Sequence, residues 1–190
     1  MVRKIGILAL QGNYNQHKKM LDQLGTNNIY VRYPKDLKTC DALIIPGGES
    51  TTISKQIDTN NLREPLIEYS KTHSILGTCA GMILMSSTES SPNMNPLGMM
   101  DFTVTRNAWG RQIDSFGDDL YLEFDNHTSF RAVFIRAPQI SRIGKGIKVL
   151  AAYKKQPVMV TDCRHYVCSF HPEIGRDDRI HRYFLNQINV

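Results

Sequence analysis

The sequence predicts an α/β protein: a single-domain, three-layer fold with a central, mostly parallel sheet, helices on both faces and an antiparallel extension. Three observations carry this. Over the first half, short and almost wholly apolar runs alternate with stretches of helical periodicity, the pattern of parallel strands covered on both faces by crossover helices. Clusters of polar and glycine residues fall where several of those runs end, at the carboxyl side of the strands. The second half then turns to β-type runs without long helices between them. At 190 residues the chain is the length of one domain, expected to span 1–190, with enough residues to bury a sizeable core.

Lys4 to Leu10 is nearly all apolar and reads as the first buried strand, broken by Gln11-Gly12-Asn13. Tyr14 to Leu24 carries Met20, Leu21 and Leu24 at helical spacing and stops at Gly25. Ile29 to Tyr33 is a second strand closed by Pro34, and Ala42 to Ile45 a third, closed by Pro46-Gly47-Gly48. Ile53 to Ile57 and Leu62 to Ser70 read as helical. Ser74-Ile75-Leu76 is a buried strand, and Met82 to Met85 opens a buried helix. Ser86 to Pro96, rich in Ser, Asn and Pro, reads as an exposed loop. Five β-type runs follow: Tyr121–Phe124, Ala132–Ile135, Val149–Tyr153, Val158–Val160 and Tyr166–Phe170. Asp178 to Ile188 closes the chain as an amphipathic helix with Ile180, Phe184, Leu185 and Ile188 on one side.

Composition narrows the function classes. With 41% hydrophobic and 22% charged residues, the chain is ordinary for a soluble globular protein, and no apolar run approaches the roughly 20 residues that span a bilayer. The first residues show no secretory pattern, so a cytoplasmic location and no membrane partner are expected. The net charge is +5, but no basic run is interleaved with aromatics, and no nucleic-acid partner is expected. The cysteines, Cys40, Cys79, Cys163 and Cys168, form neither a CxxC pair nor a zinc spacing. No metal or cofactor is expected, and Cys40, Cys163 and Cys168 read as packed residues.

The centre of the chain is Gly77-Thr78-Cys79-Ala80-Gly81. A strand that turns sharply into a helix, with glycine two residues either side of a nucleophile, is a nucleophile elbow. Larger side chains two positions away collide in so tight a turn, and the central residue is strained. Cys79 is thereby lifted from the sheet edge near the start of a helix, whose partial positive charge favours an anion. A cysteine nucleophile needs a base, and the base an orienting group. His171-Pro172-Glu173, after the last strand, supplies both. Acyl transfer also needs donors for the developing oxyanion. The Pro46–Thr52 segment, Gly48 included, offers backbone N–H groups, and the Ala80 N–H follows the nucleophile. Arg106 and Arg136 are arginines of the kind that clamp a carboxylate.

The order Pro-Gly-Gly-Glu-Ser, Gly-Thr-Cys-Ala-Gly, His-Pro-Glu resembles that of the class I glutamine amidotransferases. More narrowly, Leu8–Gly12, Pro46–Thr52, Arg106-Asn107 with Gly110–Gln112, Phe134–Pro138 and His171–Glu173 are similar to the glutaminase subunits of pyridoxal 5′-phosphate synthase, over about residues 5–176. The resemblance implies hydrolysis of L-glutamine to glutamate and ammonia through a thioester on Cys79, with His171 and Glu173 completing a triad. It implies that Gly47, Gly48, Glu49, Arg106, Ile135 and Arg136 bind glutamine. It also implies delivery of ammonia to a synthase subunit, in an assembly of twelve synthase subunits and up to twelve of these chains. Gln11 and the first helix, His17 included, would face that partner, although for His17 an exposed helix residue is the plainer reading. Rival readings are another hydrolase of the elbow class, a glutaminase serving a different synthase, a thiol redox sensor using Cys79, and an inactive binding module.

Overall fold

Ala42–Ile45 is buried at every position and forms β3, the middle of five parallel strands. The computed structural model describes residues 3–89, 94–106 and 115–188. Around β3 run β1 (Lys4–Leu8), β2 (Asn27–Val31), β4 (Ser74–Thr78) and β12 (Tyr166–Cys168). Two antiparallel strands, β10 (Lys148–Tyr153) and β11 (Gln156–Thr161), extend one edge, so the sheet reads β10-β11-β12-β4-β3-β1-β2. The register pairs Ile5 with Ala42, and Ile45 with Gly77.

Period-two alternation sends neighbouring residues of one strand to opposite cores. Leu43 and Ile45 join one core, Ala42 and Ile44 the other. On the first face lie α2 (Pro34–Leu37), α3 (Ser50–Thr59), α4 (Arg63–Ser70) and α5 (Ala80–Met85), contributing Leu37, Ile57, Leu66 and Leu84. On the second lie α1 (Tyr14–Gln23) and α6 (Arg179–Gln187), contributing Leu21, Ile180 and Phe184. Each such side chain contributes about 1.5–3 kcal/mol by leaving water. The second face is completed by a hairpin, β7 (Ser115–Leu122) with β8 (Asp125–Ile135), through Phe130 and Phe134. A small sheet of β5 (Thr88–Glu89), β6 (Phe102–Thr105) and β9 (Gln139–Ile143) covers part of the first face.

Four expectations are corrected. Pro34 does not merely close β2: it opens α2, because its fixed φ suits a first helical position, while the Asp36 carboxylate accepts from the Arg32 and Tyr33 N–H groups. The Ser86–Pro96 segment is not simply an exposed loop. Ser86 and Met94 are buried, Ser86 Oγ donates to the Ile83 carbonyl at the end of α5, and Thr88 pairs with Thr103; residues 90–93 lie outside the described residues. The Tyr121–Phe124 run straddles the end of β7 and the turn into β8, with Tyr121 exposed. Cys163 is exposed rather than packed, in the turn between β11 and β12 with φ 75°.

Candidate active site

The turn from β4 into α5 sets the site. Cys79 sits between them with φ 49° and ψ −104°, a conformation side chains rarely adopt. The neighbouring glycines make it possible. A methyl on Gly81 would come within 2.0 Å of the Ile45 carbonyl oxygen, and one on Gly77 within 2.9 Å of the Gly81 backbone. Cys79 is held by its own N–H donating to the Cys168 carbonyl at 2.8 Å, which ties the elbow to β12. Its Sγ lies 3.8 Å from the Ile135 carbonyl oxygen.

β12 ends three residues before His171, and this is what brings the imidazole to the elbow. The His171 N–H donates to the Val133 carbonyl of β8 at 2.8 Å. Nδ1 lies 2.7 Å from Glu173 Oε1, which leaves the other ring nitrogen to interact with the Cys79 thiol. His171 and Glu173 are each 5% exposed. Burial alone would lower the imidazole pKa, but the hydrogen bonds with Cys79 and Glu173 overrule it and raise it to about 10. Burial likewise opposes the Glu173 charge, yet His17 and His171 hold its pKa down at about 2. The pair is therefore a charge-assisted hydrogen bond in a dry site.

These groups open on a cleft of about 440 Å³ lined by Gly48, Glu49, Cys79, Ala80, Arg106, Ile135, Arg136 and His171, among others. Its size lies in the range of small-molecule sites, about 300–1,000 Å³. Gly47 stands behind it, where a methyl would meet His171 Cε1 at 2.4 Å. The loop after β3 is fastened on both sides. Gly47 N–H donates to Thr78 Oγ1 at 3.1 Å, and Glu49 N–H to Gln11 Oε1 at 2.8 Å. Glu49 is the N-cap of α3: its carboxylate accepts from Thr51 N–H at 3.1 Å and Thr52 N–H at 2.6 Å. Arg106 reaches this cap, with Nη2 3.7 Å from Glu49 Oε1 and Nη1 3.4 Å from Thr51 Oγ1. Arg136 follows β8 with φ 44°, also against the usual preference. Asn107 and Gly110–Gln112 lie outside the described residues.

His17 requires a correction. It is 0% exposed, so it is neither an exposed helix residue nor a side chain presented to a partner. It projects inward from α1, with Nε2 3.4 Å from Glu173 Oε2. Gln11 is half-buried and serves the Glu49 loop. Two residues at the site escaped the sequence reading. Asn13 lines the cleft, and its Nδ2 lies 3.2 Å from Glu173 Oε1 and 3.3 Å from His171 Nδ1. Thr78 is 0% exposed and anchors Gly47. The one sequence signal for either was adjacency: Asn13 ends the Gln11-Gly12-Asn13 break, and Thr78 precedes the cysteine.

Comparison with known proteins agrees with this fold. The chain is 46% identical over 185 residues to the pyridoxal 5′-phosphate synthase subunit PdxT of Pelotomaculum thermopropionicum, covering 97% of this chain and 94% of the relative. It is 44% identical over 186 residues to the PdxT subunit of Thermosipho africanus, covering 97% and 98%. A crystal structure of a glutamine amidotransferase superposes with a TM-score of 0.92 at 41% identity, covering 98% of this chain and 99% of that one. PurLQS from Thermotoga maritima shares the fold, with a TM-score of 0.71 at 14% identity over 100% of both chains. The SNO glutamine amidotransferase family itself matches residues 7–190, from the first strand to the last residue, and this chain belongs to that family.

Proposed function

We propose that this chain is the glutaminase subunit of a pyridoxal 5′-phosphate synthase, with Cys79 as nucleophile, His171 as acid and base and Glu173 as its orienting carboxylate. The observation that carries the reading is that Cys79 and His171 meet at a cleft whose wall includes two arginines, with Glu173 buried behind and bonded to His171. With the shared proton on His171, the Cys79 sulfur attacks the carboxamide carbon of glutamine. The oxygen that becomes anionic takes hydrogen bonds from Ala80 and Gly48 N–H groups. The C–N bond breaks as His171 passes its proton to the nitrogen, leaving ammonia and a thioester. Water then attacks the thioester, gives a proton to His171, and glutamate leaves. Arg106, Arg136, Ile135, Gly47 and Glu49 bind the amino-acid end of the substrate. Ammonia passes to a synthase subunit, in a cytoplasmic complex of twelve synthase subunits carrying up to twelve of these chains.

The test mixes a synthase subunit with this chain and follows pyridoxal 5′-phosphate formation from glutamine, together with ammonia release in the presence and absence of the synthase. Free ammonia is lost to solvent, so hydrolysis is expected to rise strongly when the acceptor is docked. Equal turnover in both cases refutes the coupling. Cys79→Ala and His171→Asn are each expected to abolish ammonia release and leave the fold intact; normal activity in either removes that residue from the mechanism.

A further inference from the structure

Behind Glu173 lies a buried polar chain that the three-residue mechanism does not use. His17 and His181 are both 0% exposed, one on α1 and one on α6, 164 residues apart. His17 Nδ1 is 2.9 Å from His181 Nε2. On its other edge, His17 Nε2 is 3.2 Å from Thr78 Oγ1 and 3.4 Å from Glu173 Oε2. Glu173 Oε1 is occupied by His171 and Asn13, whereas buried Oε2 makes no hydrogen bond among the described residues, nor does buried His181 Nδ1.

Burial lowers both pKa values, which favours the neutral rings, and each neutral imidazole has one N–H to place. If His17 carried its proton on Nδ1 and gave it to His181, two costs would follow. The N–H on His181 Nδ1 would be a buried donor with no acceptor, and Glu173 Oε2 would face a bare nitrogen lone pair. The opposite arrangement removes both. His181 donates from Nε2 to His17 Nδ1, leaving only a lone pair on its own Nδ1. His17 then carries its proton on Nε2, directed at Thr78 Oγ1, with Glu173 Oε2 3.4 Å from the same nitrogen. Thr78 Oγ1 is the same oxygen that accepts the Gly47 N–H.

We propose that His17 is a positioning residue: locked by His181 as the Nε2–H tautomer, it holds the Glu173 carboxylate from behind and, through Thr78, holds the Gly47 loop in register with it. This rests on Glu173 orienting His171, as proposed above. One imidazole thus couples the orienting carboxylate to the loop that supplies Gly48 to the cleft. The reason is geometric: a carboxylate bonded through one oxygen alone can rotate about its Cγ–Cδ bond, and the positive end of the His17 Nε2–H dipole, 3.4 Å from the second oxygen, opposes that rotation.

The test compares His17→Gln with His17→Asn. Both bury an amide of similar cost, but the Gln nitrogen reaches the place of imidazole Nε2, whereas the shorter Asn nitrogen stops near Nδ1. Two readouts are taken on the full-length chain: glutamine hydrolysis with a synthase subunit present, and the ¹H–¹⁵N signal of the His171 Nδ1–H bonded to Glu173. His17→Gln is expected to keep kcat within about fivefold. His17→Asn is expected to lose roughly 10- to 100-fold in kcat with KM little changed, part of the roughly 100- to 10,000-fold that a positioned base supplies. The His171 signal is expected to persist in His17→Gln and to broaden or vanish in His17→Asn. If both variants behave alike in both readouts at comparable melting temperature, His17 is a packing residue and the proposal is overturned. The imidazole signal does not depend on turnover, so an unchanged signal in His17→Asn overturns it even if the glutaminase reading fails, while loss of activity in neither Cys79→Ala nor His171→Asn overturns that reading instead.

Discussion

Gly47→Ala is the smallest change that separates the geometry of the site from its residue list. The added methyl would lie 2.4 Å from His171 Cε1, 3.0 Å from His171 Nδ1 and 3.3 Å from Cys79 Cβ, where ordinary contact begins at 3.4 Å. Gly47 is not among the glycines with positive φ, so alanine meets no backbone penalty and the effect is steric. Relief requires the ring or the loop to move by about 1 Å. The ring resists, because Nδ1 is fixed 2.7 Å from Glu173 and its backbone N–H is bonded to β8. The loop resists through Thr78 and Asn13, the latter donating its N–H to the Gly47 carbonyl at 2.9 Å. Overpacking of this kind costs about 1–3 kcal/mol of stability, and a 1 Å misplacement of a catalytic group about 100-fold in rate. Ammonia release at saturating glutamine with a synthase present, together with a thermal melt, measures both. A variant with wild-type kcat and wild-type melting temperature refutes the claim that Gly47 exists to admit the imidazole.

Further outcomes follow from the same contacts. Cys79→Gly is expected to be inactive yet more stable than Cys79→Ala by about 1–2 kcal/mol, since glycine relieves the φ 49° strain, and denaturant melts of the two compare it. Asn13→Ala removes the amide donor to Glu173 Oε1, and a loss of roughly three- to tenfold in kcat is expected, with steady-state kinetics as the check. Glu173, whose pKa falls to about 2 in the fold, contributes stability at pH above its ordinary 4.5 and loses it as pH falls from there toward 2. The advantage of the wild type over Glu173→Gln in melting temperature should shrink across that window. His171, raised from 6.5 to about 10, contributes most below pH 6.5 and loses it as pH rises toward 10, so the advantage over His171→Asn should shrink on the alkaline side.

Much of this architecture was legible in the residues. Ala42–Ile45 reads as a doubly buried strand and is one, and Gly77 and Gly81 read as the glycines of an elbow and are sterically required there. Those signals are local: an apolar run of four residues or a glycine two positions from a cysteine states its own requirement. Boundaries shifted where a side chain reached back over the chain. Asp36 capping Tyr33 turned an expected strand end into a helix start, and the Glu49 carboxylate, capping α3, started that helix ahead of the apolar run at Ile53.

By itself, then, the sequence determined the layered fold, the order of the strand-end clusters and the family. Tertiary structure alone decided which way α1 turns its histidine. His17 stands among Gln, Lys and Asn residues on a short helix, a setting that reads as solvent-facing, and its partners are Thr78, Glu173 and His181 on three distant elements. Periodicity registers apolar faces, not a polar side chain buried because others await it. Such a residue becomes visible only when the chain has brought its partners within hydrogen-bond reach.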